Sequence, residues 1–381
     1  MQRCAIRPRG NWPEQLERIG LTYHSVEGGY WREDVAYEFS ESQIDCVESA
    51  TAVLHQLYLD AVERVIREDR FADLQIPEAW RPCIIDSWER QEASLYGRFD
   101  LWYQGIGAPK LLEYNADTPT ALLEAAVAQW FWLQEVSPGA DQFNSVHERL
   151  IRRWAILRQQ ASTDLLHLAC LDEYEEDRQN LIYLADTANQ AGWRVQTLPV
   201  EQIGWEAKMR RFVDQQNQPI VVLFKLYPWE WLCQGAFAPY VSSSTMTVVE
   251  PAWKQLLSHK GLLALLWEWF PNHPNLLPAS LAPLRERVAY VRKPFWSREG
   301  ANITIVNGDQ VIRTEGPYDA EPTVYQRYIP LPEFDGWHPV IGSWVIGDEP
   351  AGMGIREDRG LVHGNLSRFV PHRFWKQVRV P

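Results

Sequence analysis

Gly97-Arg98-Phe99-Asp100 and Leu112-Glu113-Tyr114-Asn115 are short runs in which charged or polar residues alternate with apolar or aromatic ones. They flank Gly105-Ile106-Gly107-Ala108, a turn signal, so Leu95 to Asn115 reads as a β-hairpin. If Gly105 to Ala108 form a four-residue loop, residue 104 faces 109, and the same count sets Asp100 opposite Glu113 and Arg98 opposite Asn115. Side chains alternate between the faces of a strand, which puts Arg98, Asp100, Glu113 and Asn115 on one face. Two carboxylates opposed across strands repel each other unless a cation lies between them. Two carboxylates and an amide oxygen are the hard donors that Mg²⁺ takes, with phosphate oxygens and waters completing its shell. A register shifted by one, or an Asp100 paired with Arg98 or Lys110 at the surface, would leave ordinary solvated charges instead.

Outward from the hairpin the elements are mixed. Apolar residues from Ile44 to Ile66 recur at three and four, and Ser40-Glu41-Ser42-Gln43 reads as a capping box, so Ser40 to Arg70 is expected to be a long amphipathic helix. Thr118-Pro119 supplies an N-cap and a first-turn proline for a helix through Glu135, closed by Pro138-Gly139. Strands over Leu166–Leu171, Val195–Leu198 and Pro219–Leu226 alternate with a helix over Glu176–Ala191 that Gly192 stops, an α/β rhythm. A helix over Trp253–Phe270 then precedes Pro271. From about Glu250 onward, short strands with glycine turns and an Asn307-Gly308 hairpin predict a β-rich or α+β lobe.

A metal-and-phosphate site needs cations and a loop that can close. Tyr290 to Gly300 has that form: Lys293 ends a strand, and Ser297-Arg298-Glu299-Gly300 offers backbone amides and a guanidinium to an anion, although surface loops of this composition are common. Lys260, in Ser258-His259-Lys260-Gly261, reads equally well as a solvated helix residue. The acidic run Asp172 to Asp177 opens a helix, where carboxylates favour the positive end of the dipole; the alternative is a subsite for a cation or amine.

Bulk properties exclude several classes. A chain of 381 residues allows two or three lobes with a cleft between them. The net charge of −13, with no basic run, disfavours nucleic acid. The cysteines, five in number, are scattered without a C-x-x-C pair, which argues against disulfides and thiolate zinc and fits a reducing, cytoplasmic setting. No stretch approaches the ~18 uncharged apolar residues of a membrane span, and no recognisable export signal opens the chain. No H-E-x-x-H, G-x-S-x-G, Walker A or Rossmann pattern occurs. Of the 19 Trp, many sit in apolar runs such as Trp130-Phe131-Trp132 and Trp267-Glu268-Trp269, where burial is expected, and Cys170 is expected to pack in a strand.

Taken together, these segments resemble the synthetase half of the glutathionylspermidine synthase family, and more closely its stand-alone acid–amine ligases. The likeness runs along the chain: Arg98-Phe99-Asp100, Leu112 to Thr120, Glu175 to Arg178, Phe224 to Glu230, Glu250 to Lys254, Lys293-Pro294, Ser297 to Gly300, Gly354 to Asp358 and Ser367 to Phe369.

The resemblance implies an α+β / α/β ATP-grasp-type ligase of permuted order. Residues 1–95 would form a helical packing segment, 96–249 an α/β lobe with the metal hairpin and substrate sites, and 250–381 a β-rich nucleotide-binding lobe. It implies ATP and two Mg²⁺ ions, with Asp100, Glu113 and Asn115 as metal ligands. Lys260, Lys293, Ser297, Arg298, Glu299 and Gly300 would hold ATP, with Gln326, Arg327, Tyr328 and Ile329 beside the adenine and Arg356 facing phosphate. Arg98 would act on the phosphoryl group in flight, Thr118 would touch the acid, and Glu175 and Glu176 would attract a polyamine-like amine. Leu226 stands where glutathionylspermidine-forming members carry a hydroxyl residue, a departure that puts the acid substrate in question. Bifunctional members also carry an N-terminal cysteine amidase ahead of this region, so a reverse reaction is expected to lie elsewhere. The expected activity is ATP-dependent amide formation between a small acid and an amine. The alternative is a catalytically silent module that binds Mg-ATP.

Overall fold

A computed structural model describes residues 1–241, 243–285 and 288–376. Its centre is an antiparallel sheet of five strands in the order Arg368–Val370, Glu349–Asp358, His338–Ile346, Tyr96–Trp102 and Lys110–Asn115. Strands near the front and the end of the sequence thus lie side by side. Every residue of Tyr96–Trp102 is buried, because both faces of the sheet are covered.

One face carries the helix Glu41–Arg67. Ser40 caps it as expected: its hydroxyl accepts from Gln43 N at 3.3 Å, and the Gln43 side chain accepts from Ser40 N at 2.9 Å. Phe99, Leu101 and Tyr114 point into this layer, with the Phe99 and Tyr114 rings stacked 3.7 Å apart. By alternation, Arg98, Asp100, Glu113 and Asn115 face the other way.

The register of the hairpin matches the expectation at the residues that matter, by a different route. Asp100 pairs with Glu113 and Arg98 with Asn115, yet the strands end at Trp102 and restart at Lys110, so the connection is longer than a four-residue loop. The inner pairs, Leu101 with Leu111 and Trp102 with Lys110, lie one residue out of step. A bulge that leaves Leu112 unpaired restores the alignment.

A second sheet is wholly parallel, in the order Thr247–Val249, Val222–Leu226, Leu165–Cys170 and Arg194–Pro199, with the helix Glu175–Gln190 in the connection after Leu165–Cys170. This is the predicted α/β rhythm. A third sheet, antiparallel, holds Ala279–Ser280, Thr323–Arg327, Tyr290–Pro294, Thr304–Asn307 and Gln310–Arg313, the last two joined through Asn307-Gly308 as expected. Gln2–Ala5, Val35–Ser40 and His372–Trp375 form a small sheet that ties the chain's ends together.

Three expectations need correction. The helix after Thr118-Pro119 begins only at Leu122, because Ala121 adopts φ +62°, a left-handed conformation that interrupts a helix; Glu124–Ala128 then widens into a π turn. The helix expected over Trp253–Phe270 is two, Lys254–Ser258 and Leu262–Trp269. His259 breaks it: the residue is extended, its ring is buried against Phe295 and Trp296, and its Nδ1 accepts from Gly261 N. Finally, Trp132 is buried, but Trp130 and Phe131 project into solvent.

Candidate functional site

The polar face of the hairpin opens on a cavity of about 920 Å³ between the three larger sheets. Within it Asp100 is gripped from two sides. Arg98 Nε donates to Oδ1 at 3.0 Å and Arg356 Nη2 to Oδ2 at 2.7 Å, while Arg98 Nη1 reaches Thr120 O at 2.6 Å. Asp100 therefore does pair with Arg98, but in a buried cleft and not at the surface. Gly342, opposite Asp100 on the neighbouring strand, permits this: a Cβ there would lie 2.9 Å from Arg98 Cδ.

Glu113 meets Lys260 at 3.4 Å and accepts from Asn115 Nδ2 at 3.1 Å. Lys293 Nζ donates to Leu112 O and to Gln326 Oε1, both at 2.8 Å, and Gln326 Nε2 donates to Leu111 O at 3.0 Å. The bulge that aligns Asp100 with Glu113 thus also presents the carbonyls that hold Lys293 and Gln326. Lys260 is buried, contrary to the solvated alternative, because the break at His259 turns it inward, where its Nζ donates to Ser297 O at 2.6 Å.

The electrostatics follow from this crowding. Burial works against the charge of Glu113, yet Lys260 and Lys293, helped by Asn115, hold its pKa down to about 2. Burial lowers Lys293 to about 8, with Lys260 adding to the effect and Glu113 opposing it.

The far wall of the cavity has the opposite character. Burial, then repulsion by Glu176 and Glu299, raises Asp177 to about 7, and burial followed by Glu176 raises Glu299. Behind this wall Glu124 is fully buried on the π turn, accepting from Tyr30 Oη at 2.6 Å and Tyr23 Oη at 3.0 Å; burial and Glu176 raise it to about 7. Glu175 is exposed and bound by the Thr22 hydroxyl. One cavity therefore has a cationic end and an acidic end.

Ser297 to Gly300 borders the space between. Arg298 Nη1 donates to Thr118 Oγ1 at 2.8 Å, Nη2 binds the buried carboxylate of Glu230, and the guanidinium lies 5.7 Å from the Trp231 ring centroid. Gly300 has φ +70°, and a Cβ there would fall 2.4 Å from His363 O, so the turn needs glycine. Thr118, expected as a helix cap, is instead the acceptor for this loop.

The family described as glutathionylspermidine synthase preATP-grasp matches residues 3–375. The chain belongs to the glutathionylspermidine synthase family. It is 43% identical, over 96% of its length and 97% of the relative's, to a Haemophilus influenzae protein that carries the provisional name acid–amine ligase. It is 28% identical to trypanothione synthetase of Crithidia fasciculata and 24% identical to the bifunctional glutathionylspermidine synthetase/amidase of Escherichia coli, spanning 55% and 63% of their lengths. Among solved structures, a glutathione synthetase-like effector of Globodera pallida superposes with a TM-score of 0.57 at 9% identity, covering 97% of this chain and all of that one, a likeness of fold alone.

In this member of the glutathionylspermidine synthase family, every residue singled out from the sequence borders the one cavity: Arg98, Asp100, Glu113, Asn115, Thr118, Glu175, Glu176, Leu226, Lys260, Lys293, Ser297 to Gly300, Gln326 to Ile329 and Arg356. Sequence reading missed Tyr23 and Tyr30, Asp177, Glu230 with Trp231, and His363. Asp177 stood within the quoted acidic run and Glu230 closed the quoted segment Phe224 to Glu230, though neither was given a role; Tyr23, Tyr30, Trp231 and His363 carried no local signal. The donor set suits a hard divalent cation. Two opposed carboxylates supply charge, and Asn115 has committed its amide nitrogen to Glu113, so its carbonyl oxygen is the atom it can offer.

Proposed function

We propose that the protein is an ATP- and Mg²⁺-dependent carboxylate–amine ligase that forms an amide through an acyl phosphate. The carrying observation is the polarity of the cavity, with Arg98, Lys260, Lys293 and Arg356 around a carboxylate hairpin at one end and Glu176, Asp177 and Glu299 at the other. The names of the relatives support the same reading: ligase, trypanothione synthetase, glutathionylspermidine synthetase.

In this reading Asp100, Glu113 and Asn115 hold Mg²⁺, two ions in all, which neutralise phosphate charge when bound. Lys260, Lys293 and the amides of Ser297 to Gly300 bind the triphosphate of ATP, and Gln326 to Ile329 border its base. Arg98 and Arg356 stabilise charge on the phosphoryl group as the acid's carboxylate attacks it in line. Thr118, with Arg298 beside it, orients the acid, a small peptide-like molecule of the glutathione type. Glu175 and Glu176 attract a cationic amine such as a polyamine, which displaces phosphate to give the amide. The closed loop excludes water, which would otherwise hydrolyse the acyl phosphate. The fold is read as a permuted ATP-grasp. Residues 1–95 serve as a packing segment, 96–249 as the metal and substrate portion, and 250–381 as the nucleotide portion.

The test is product mass spectrometry after incubation with Mg-ATP, glutathione or small peptides, and a panel of polyamines. The expected result is ADP, phosphate and a mass equal to acid plus amine less water. ATP left intact with every pair would overturn the proposal.

A further inference from the structure

Away from the cavity, four guanidinium groups converge on one indole. The Arg3, Arg32, Arg359 and Arg368 Cζ atoms lie 5.6, 5.3, 4.5 and 4.7 Å from the Trp337 ring centroid. None of these residues borders the cleft. The four come from three stretches of the chain, with Arg359 and Arg368 on either side of one connection between strands, so the cluster is a product of the fold and not of a basic run.

Its charge is unevenly answered. Glu357 takes Arg3 through two bonds of 2.8 and 2.9 Å and the Tyr37 hydroxyl at 2.9 Å. Asp34 takes Arg32 through two bonds of 2.8 Å. Asp335 stands 3.6 Å from Arg3. Those carboxylates are committed, and Arg359 and Arg368 form no ion pair or side-chain hydrogen bond among the described residues; their guanidinium groups lie against the Trp337 ring. Burial, then Arg32 and to a smaller extent Arg359, lowers the pKa of Arg368, while Glu357 and Asp34 oppose the shift. Arg32 Nη1 is buried and lacks a hydrogen-bond partner among the described residues, with the nearest paired carboxylate oxygen, Glu357 Oε1, 3.9 Å away. A cation–π contact adds attraction but does not neutralise charge. Like charges held together call for a counter-ion.

We propose that Arg32, Arg359 and Arg368, seated around Trp337, form a binding site for a small oxyanion, a phosphate or a carboxylate, separate from the cleft. Guanidinium groups recognise both through paired, charge-assisted N–H···O bonds. The site would lie across the sheet from Arg356, since Glu357 beside it faces the opposite way along the strand Glu349–Asp358.

The test is calorimetric titration of inorganic phosphate, and in a second arm succinate, at low ionic strength into the wild-type protein, Arg359→Gln and Arg298→Gln. Arg359 is exposed, so its replacement leaves the core intact; Arg298 belongs to the cleft. The wild type should bind phosphate, Arg359→Gln should weaken that event about tenfold or more, and Arg298→Gln should retain it. Succinate lost in Arg359→Gln as well would show that carboxylates share the site, whereas binding of phosphate alone would restrict it to phosphate. Should Arg359→Gln titrate like the wild type, or Arg298→Gln alone lose binding, the anion sits in the cleft and the proposal falls.

Discussion

Arg356 and Asp100 meet at 2.7 Å across the polar face of the central sheet, Nη2 to Oδ2, and the second oxygen of the same carboxylate is taken by Arg98 at 3.0 Å. The carboxylate is thus prepositioned by two cations that also border the cavity, where the proposed function places the phosphoryl group. Asp100→Asn would retain the shape but leave both guanidinium groups without their counter-charge. The ligation rate should fall about 10²–10³-fold, in line with loss of one electrostatic contact to a transition state. Stability should fall by no more than about 1–3 kcal/mol, since the arginines keep access to the cavity. ADP release and thermal melting read the two effects, and a wild-type rate in this variant would remove Asp100 from the mechanism.

Glu113 and Lys293 are coupled through charge. Lys293 sits at about 8 because burial and Lys260 lower it while Glu113 holds it up. A lysine is charged below its pKa, so binding of a nucleotide that uses this charge should weaken as pH rises through about 8. Glu113→Gln removes the supporting carboxylate and should move that transition to lower pH. Fluorescence titration of an ATP analogue without added metal, from pH 6 to 9, checks it; an unmoved transition means the two groups do not communicate.

Asp177, at about 7, is neutral below that pH and a carboxylate above it. A polyamine remains cationic across this range, so its KM should fall as pH rises from 6 to 8. Asp177→Asn should flatten the profile, the remainder coming from Glu124, which titrates at a similar pH. The stability consequence has the opposite sense. A carboxyl raised from 3.8 to about 7 is destabilising once ionised, so the wild type should lose stability relative to Asp177→Asn as pH climbs from about 4 to 7. Equal melting profiles for the two proteins would show that Asp177 is freely solvated.

What could be read in the sequence was local or periodic. Alternation around Asp100 and Glu113 identified the polar face, and the Ser40 capping box located the start of the long helix. The four-residue loop was wrong because a bulge at Leu112 has no signature in one sequence; the correct pairing survived since the bulge offsets the loop error by one residue. The left-handed Ala121 and the break at His259 were equally invisible, each being imposed by its surroundings: Thr120 O is claimed by Arg98, and His259 is wedged against Phe295 and Trp296. Tyr23 and Tyr30 reach the site from a distant stretch of chain, and only long-range packing could reveal them; Glu230 closed a quoted segment, but its pairing with Arg298 was not legible there.

Glu230 offers a direct test of the closed loop. Its buried carboxylate binds Arg298, which in turn holds Thr118. Glu230→Gln removes the charge while preserving size, so the loop over Ser297–Gly300 should open more readily. Limited proteolysis within these residues should quicken, and KM for the acid should rise about tenfold, the loss of one charge-assisted bond. Unaltered proteolysis would mean that Gly300 packing on His363, and not Glu230, keeps the loop shut.

The hairpin's exit is anchored by a pair that the cavity does not contain. Lys225 Nζ donates to Asp117 Oδ1 at 2.6 Å and to Tyr227 O at 2.9 Å, and Asp117 Oδ2 accepts from Trp229 N at 2.8 Å. The side chains are 1% and 2% exposed, so neither charge has water to fall back on. Lys225→Met should cost about 3–5 kcal/mol by stranding the carboxylate, and Asp117→Asn should strand the ammonium. The double variant removes both charges and retains an acceptor for Trp229 N; it should therefore recover more than half of the loss seen in Lys225→Met. Urea denaturation of the four proteins measures this coupling. Additive losses would show that the two charges are independently solvated and that the exit of the hairpin is held by packing alone.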